Sequence, residues 1–327
     1  PLAVGYSKNE NYIGSDSYAL KSMTNKISYL NDGDVCVVTK DDVLVMASEV
    51  GVLDIDPKDV KIKDRIQPGR MFLLDTKEGR IIEDEELKQN LSTRRPYGDW
   101  LGEQKVMLDD LAEPTNLPEI TPSDLQGLKR AFGYTLEDLQ MIMEPMALNG
   151  TEPIGSMGND TPLADLSDKP QFMFNYFKQL FAQVSNPPLD AIREELVTSL
   201  EAFIGSEQNL FEETSWHCRQ LKIKQPILTN QDIQKIKNIS NEGFKTSTSS
   251  TLFDTTQGDG ALKSALDNLC IEASKAVDSG SNIIILSDRG VDATLAPMPI
   301  LLATSAVHHS LIKIGKRTKV GIVIESG

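Results

Sequence analysis

Between residues 262 and 324 two amphipathic stretches alternate with two short apolar runs, and few architectures accept that order. Leu262–Ser279 precedes Ile283-Ile284-Ile285-Leu286, and Pro299–Ile314 precedes Val320-Gly321-Ile322-Val323-Ile324. Helix–strand–helix–strand at this spacing predicts right-handed βαβ steps and a parallel sheet. Ile283–Leu286 carries no polar alternation, which suits a strand covered on both faces. The expected fold class is therefore α/β.

The remainder of the chain reads in two styles. Residues 1–86 look like short β segments joined by turns. Asn31-Asp32-Gly33-Asp34 and Gln67-Pro68-Gly69-Arg70 are turn signals ahead of apolar runs, and Thr76–Arg80 reads as a hairpin tip leading to Ile81-Ile82. The stretch Gly14–Lys40 is echoed by Ala47–Lys77, as if one β module occurred twice. From Asp84 the composition turns helical, with Glu85–Leu91 a helix. Residues 102–124, with Pro114, Pro118 and Pro122, read as an irregular connector and a domain boundary. Ser123–Ala147 suggests paired helices, with Thr135 as N-cap and Glu137-Asp138 in the first turn. Gly150–Asp168 is loop-like. Phe172–Phe177 opens an aromatic helix that Pro187-Pro188 ends, and Asp190–Ile204 reads as an amphipathic helix. Ile227-Leu228 and Asp232–Ile239 read as a strand end and a helix. Thr246–Gly260 is polar and loop-like, apart from a short strand at Thr251-Leu252-Phe253.

Charge narrows the function classes. The balance of 33 Lys and Arg against 48 Asp and Glu gives −15 at neutral pH. Phosphate affinity comes mainly from clustered cations, so nucleic acid and anionic membrane are poor partners. No apolar run approaches the roughly 20 residues that span a bilayer, and the start does not resemble a signal peptide. Cys36, Cys218 and Cys270 are far apart and form no CxxC, which suggests neither a disulfide framework nor a zinc site. A reducing, cytoplasmic compartment is expected. The sequence opens without Met and stops just after a strand-like run, so it is expected to be part of a longer polypeptide.

Four groups of residues invite a chemical reading. Ser287-Asp288-Arg289-Gly290 follows the buried run, and in parallel α/β folds ligands bind at the carboxyl ends of strands. An acid and a guanidinium there could face a substrate, or could pair to close the loop. Gly155-Ser156-Met157-Gly158-Asn159-Asp160-Thr161-Pro162 has glycines that would let amides approach an anion, but lacks the Walker and Rossmann spacings. It reads better as a shaped loop with a narrow hydrophilic wall. His308-His309 point about 100° apart on a helix and suit packing better than a shared metal ion. Trp216-His217 and the Phe172–Phe181 stripe suit packing.

From Val43 to Gly327 the chain closely resembles the large chain of glutamate synthase. The resemblance rests on Met46-Ala47-Ser48-Glu49-Val50-Gly51-Val52, Arg65-Ile66-Gln67-Pro68-Gly69-Arg70-Met71-Phe72, Arg94-Arg95-Pro96-Tyr97-Gly98-Asp99-Trp100-Leu101 and Phe132-Gly133-Tyr134-Thr135-Leu136-Glu137-Asp138. It continues through Glu152–Ala164, Phe181–Pro188 and Leu286-Ser287-Asp288-Arg289-Gly290-Val291. Residues 1–42 depart from it. Where that family usually carries an Arg-Pro-Ala-Arg-Tyr string, this chain has Pro1–Gly5, Gly14–Leu20 and Tyr29–Asp34, which resemble the glutaminase domain of glucosamine-6-phosphate synthase. Both enzymes share the N-terminal-nucleophile glutaminase fold, which accounts for the repeated module.

The resemblance implies four segments: a glutaminase-like β module at 1–42, the end of the synthase glutaminase domain at 43–101, a connector at 102–124, and the central domain at 125–327. That central domain would be an incomplete β/α barrel, preceded by a small β-rich remnant of the glutaminase domain. It further implies an enzyme making glutamate from glutamine and 2-oxoglutarate, with an N-terminal Cys nucleophile upstream and FMN with an iron–sulfur cluster downstream. An NADPH-oxidising subunit or ferredoxin would supply electrons. No catalytic, cofactor or metal residue is expected in this chain. It would link the glutaminase and FMN domains and help to wall an ammonia tunnel, for which Ser156, Asn159, Asp160 and Thr161 are the candidates. Two rival readings are a non-catalytic scaffold module and the remnant of a sugar-aminating glutaminase.

Overall fold

The computed structural model describes residues 2–6, 11–14, 26–30, 35–39, 43–47, 54–65, 69–117, 122–153, 162–177 and 189–327. They fall into two compact units, Pro1–Tyr97 and Gly98–Gly327.

The first unit is built from β-strands. β1 (Leu2–Tyr6) pairs antiparallel with β2 (Asn11–Gly14) and β3 (Lys26–Leu30). β4 (Val35–Thr39) pairs antiparallel with β5 (Leu44–Ala47) and β6 (Val60–Arg65). Cys36 lies mid-strand in β4, opposite Met46 on one side and Asp64 on the other. β7 (Leu73–Asp75) and β8 (Arg80–Ile82) form the expected hairpin. Gly79 takes φ 66° at its turn, a conformation open to glycine at no steric cost. α1 (Asp84–Thr93) follows, with Asp84, Glu85 and Glu86 in its first turn, where negative charge meets the positive end of the helix dipole. Arg80 forks across Glu86 with two bonds of 2.8 and 2.9 Å, tying the hairpin to α1.

In the second unit α2 (Tyr97–Gln104) leads into β9 (Val106–Met107), α3 (Pro122–Ala131) and α4 (Glu144–Asn149). A π-helical stretch, Asp138–Met143, runs into α4. As expected, Thr135 caps that stretch: its hydroxyl accepts from the Asp138 amide at 3.1 Å, and the Asp138 carboxylate accepts from the Thr135 amide at 2.8 Å. The aromatic segment differs from expectation, since Met173–Tyr176 is one 3-10 turn that ends with Phe177 extended. The helix expected over 190–204 also stops early. Asp190 caps α5 (Ala191–Val197), and β10 (Ala202–Ile204) then pairs with β11 (Leu221–Ile223). Pairing with a buried strand overrides helical periodicity there.

The core is the parallel sheet of β12 (Thr246–Ser250), β14 (Ile283–Ser287) and β16 (Gly321–Glu325), with β14 central. β13 (Leu252–Asp254) and β15 (Leu295–Pro297) form a small antiparallel ladder beside it. α6 (Asn230–Lys237), α7 (Ala261–Asp278) and α8 (Ile300–Lys313) complete the unit. Side chains alternate across a strand, so β14 feeds two cores. Ile283 and Ile285 pack with Leu221, Ile233, Ile236 and Val323 on one face. Ile284 and Leu286 pack on the other against Leu269, Ala273 and Val277 of α7 and Ala303, Val307 and Leu311 of α8. Each helix presents a stripe at four-residue spacing, as an amphipathic helix on a sheet must.

Candidate functional site

The carboxyl ends of β14 and β16 bring together Ser287, Asp288, Arg289, Glu325, Ser326 and Gly327. The parallel register places Ser287 beside Glu325, and the Asp288 amide donates to the Glu325 carbonyl at 3.1 Å. Two acids with different surroundings result.

Glu325 is buried and fully partnered. Both its oxygens accept from Lys237 Nζ of α6, at 3.0 and 2.8 Å, and Ser287 Oγ donates to it at 2.5 Å. Arg289 Nε stands 3.6 Å away, and Arg289 Nη2 donates to Asn230 Oδ1 at 3.0 Å. Burial alone would raise the Glu325 carboxyl, but the bonds from Lys237 and Ser287 outweigh it and hold it below the usual range.

Asp288 is only 2% exposed, and no Lys or Arg among the described residues is bonded to it. Its carboxylate accepts from Ser326 Oγ at 2.5 Å and from the Gly327 amide at 3.1 Å. Burial is the dominant influence and pushes Asp288 up, despite those bonds and Arg289; Glu325 adds to the rise. The expected Asp288–Arg289 pair is therefore not what closes the loop. Arg289 turns to Glu325 and Asn230, and Asp288 holds the backbone after β16.

Asp288 lies in the lining of a cleft of about 480 Å³, with Ser326, the Pro297–Ile300 turn, the 131–143 segment and Phe172. That volume is in the range of small-molecule sites. Among the described residues its lining holds no Lys, Arg or His. Among the described residues no three His, Cys, Asp or Glu side chains are placed to hold a metal ion.

Ser156, Asn159, Asp160 and Thr161 lie outside the described residues. His308 accepts a 2.9 Å bond from Arg317 Nε, a packing role. His217 bonds the Asn209 carbonyl at 2.9 Å, and Trp216 lies under the Arg219 guanidinium at 4.0 Å. The residues that the motifs missed are Glu325, Lys237 and Asn230. Glu325 stands directly after the apolar run that ends at Ile324, the position Ser287 holds after Leu286, and that signal was available. Nothing local singles out Lys237 in the last turn of α6.

Residues 128–327 match the family described as glutamate synthase central domain, and residues 35–100 match glutamine amidotransferases class-II. Among similar proteins, the glutamate synthase [NADPH] large chain of Bacillus subtilis is 44% identical over 290 residues, covering 89% of this chain and 19% of that protein. The glutamate synthase [NADH] of Schizosaccharomyces pombe is 42% identical, covering 89% and 14%. The ferredoxin-dependent glutamate synthase of Cyanidium caldarium is 42% identical, covering 89% and 19%. The chain thus spans less than a fifth of the length of these relatives.

Proposed function

The chain belongs to the glutamate synthase family, and from that premise we propose that it works inside a glutamate synthase, which forms glutamate from glutamine and 2-oxoglutarate. The observation that carries this reading is that one chain matches class-II amidotransferases over 35–100 and the glutamate synthase central domain over 128–327. We assign it the role of joining a glutaminase domain to an FMN domain in the cytoplasm, with no catalytic, cofactor or metal residue of its own. The iron–sulfur cluster, and an NADPH-oxidising subunit or ferredoxin as electron donor, belong in this reading to other parts of the enzyme. The central domain would be an incomplete β/α barrel, a reading supported by the order β12-β14-β16, which follows the chain as the strands of a barrel arc do.

Within that role, Ser156, Asn159, Asp160 and Thr161 would wall a passage for ammonia. Small polar side chains and backbone carbonyls can hydrogen-bond neutral ammonia and pass it on. Pro162 biases Thr161 toward an extended backbone, which would free its hydroxyl to face a passage. The test is Thr161→Val in the intact enzyme, with glutamine hydrolysis and glutamate synthesis measured separately. Uncoupling of the two rates is the expected result. Unchanged coupling at unchanged stability would leave the loop as packing.

A further inference from the structure

The connection from β10 to β11 holds two apolar side chains out in water on a braced turn. Asn209 opens that turn: its carbonyl accepts from the Glu212 amide at 3.0 Å, and its side-chain oxygen accepts from the Phe211 amide at 3.1 Å. Asn209 Nδ2 donates to Glu212 Oε1 at 3.1 Å, and His217 Nε2 donates to the Asn209 carbonyl at 2.9 Å. Asparagine suits the first position of a turn because its side chain bonds the backbone two residues on. At the tip, Leu210 and Phe211 are 91% and 98% exposed. Single apolar residues are ordinary on a surface, but an adjacent pair on a braced tip is contact area with little ordering left to lose on binding. The Glu207 amide donates to the Thr318 carbonyl at 2.7 Å, which sets this loop against the segment leading into β16. Glu207 and Lys319 thus flank the contact, both exposed, and among the described residues neither takes part in an ion pair. Their neighbours are engaged, Lys316 with Asp278 at 2.6 Å and Arg317 with His308 at 2.9 Å. An apolar tip with one acid and one base beside it complements itself under a two-fold rotation, whereas a partner of a single sign would match only one of the two charges.

We propose that this face binds a second copy of the chain, with Leu210 and Phe211 of both copies packed at a two-fold axis and Glu207 of each copy against Lys319 of the other. The apolar tips supply the affinity, and the charges at the rim set the register. The proposal is independent of the synthase reading, since it requires no turnover.

Analytical ultracentrifugation of the whole 327-residue chain tests this. The unaltered chain is expected to show a monomer–dimer equilibrium. Phe211→Ser should weaken it about tenfold or more at an unchanged thermal midpoint, because that side chain is almost wholly exposed in its own chain. Glu207→Lys and Lys319→Glu should each weaken self-association by setting like charges face to face. An equimolar mixture of those two variants should associate about as tightly as the unaltered chain, since the mixed pair alone opposes unlike charges at both rims. That rescue separates a two-fold contact from general stickiness of the tip. A chain that stays monomeric at about 1 mM overturns the proposal. So does a dimer that survives Phe211→Ser, or a mixture that associates no better than its components.

Discussion

Lys237 and Glu325 form an ion pair in which one member is almost wholly buried and the other a quarter exposed, with side-chain accessibilities of 5% and 24%. Removing one partner of such a pair strands the other charge, which costs more than the pair contributes when intact. Lys237→Met keeps the stem and deletes the ammonium, and should cost about 3 kcal/mol in urea unfolding at neutral pH. Adding Glu325→Leu to it should recover most of that loss. The two acids here should also respond to pH with opposite sign. Glu325 is held low, so its contribution is present above its unfolded value near about 4.3 and is lost as pH falls through the folded value. Asp288 is raised, so the folded state binds the extra proton, and stability falls as pH rises from about 3.9 toward the folded value. Relative to the unaltered chain, Glu325→Gln should therefore lose stability, and Asp288→Asn gain it, between pH about 4 and about 7. Denaturant midpoints across that range check both signs.

At the scale of elements, α7 and α8 reach the sheet through small residues. Ala273 and Ala303 are fully buried, and neither has room for a longer side chain without displacement. Ala303→Leu is expected to cost about 1–3 kcal/mol by overpacking, read as a lowered thermal midpoint with an unchanged circular dichroism spectrum. These helices and the strands they cover were legible in advance because burial on both strand faces and one helix face leaves an unmistakable apolar period. β12 was not. Its sequence, Thr-Ser-Thr-Ser-Ser, is that of a loop, yet it pairs with β14, a strand buried at all five residues. Two of its hydroxyls find distant partners: Thr246 Oγ1 donates to the Ile236 carbonyl at 3.0 Å and Ser247 meets Ser281 Oγ at 2.6 Å. Such partners are invisible to any local window, and the same is true of Lys237 at the site. Residues 190–204 failed for the opposite reason, since their helical period is real but is cut at Thr198 by strand pairing beyond it.

At the scale of the whole molecule, residues 102–124 carry more than their prolines suggest. Val106 and Met107 pair in parallel with Leu221 and Lys222, and Leu108 and Leu111 are buried in the core. Arg219 donates to Gln104 at 2.9 Å, Lys224 meets Asp109 at 2.5 Å, and Lys235 meets Glu113 at 2.7 Å. A chain begun at Gly98 should therefore keep the main cooperative transition of the second unit within a few degrees of its midpoint in the whole chain. One begun at residue 125 should lose at least about 4 kcal/mol, the cost of vacating two buried leucine positions. Differential scanning calorimetry of the two shortened chains distinguishes them. The Arg219–Gln104 bond joins residues 115 positions apart. On a ribosome adding roughly 5–20 residues per second, Leu108 and Leu111 would wait several seconds for the strand that covers them. For that interval the nascent chain displays a sticky, unpaired segment, so a holding chaperone that recognises apolar stretches should engage residues 106–111 until Leu221–Ile223 emerges.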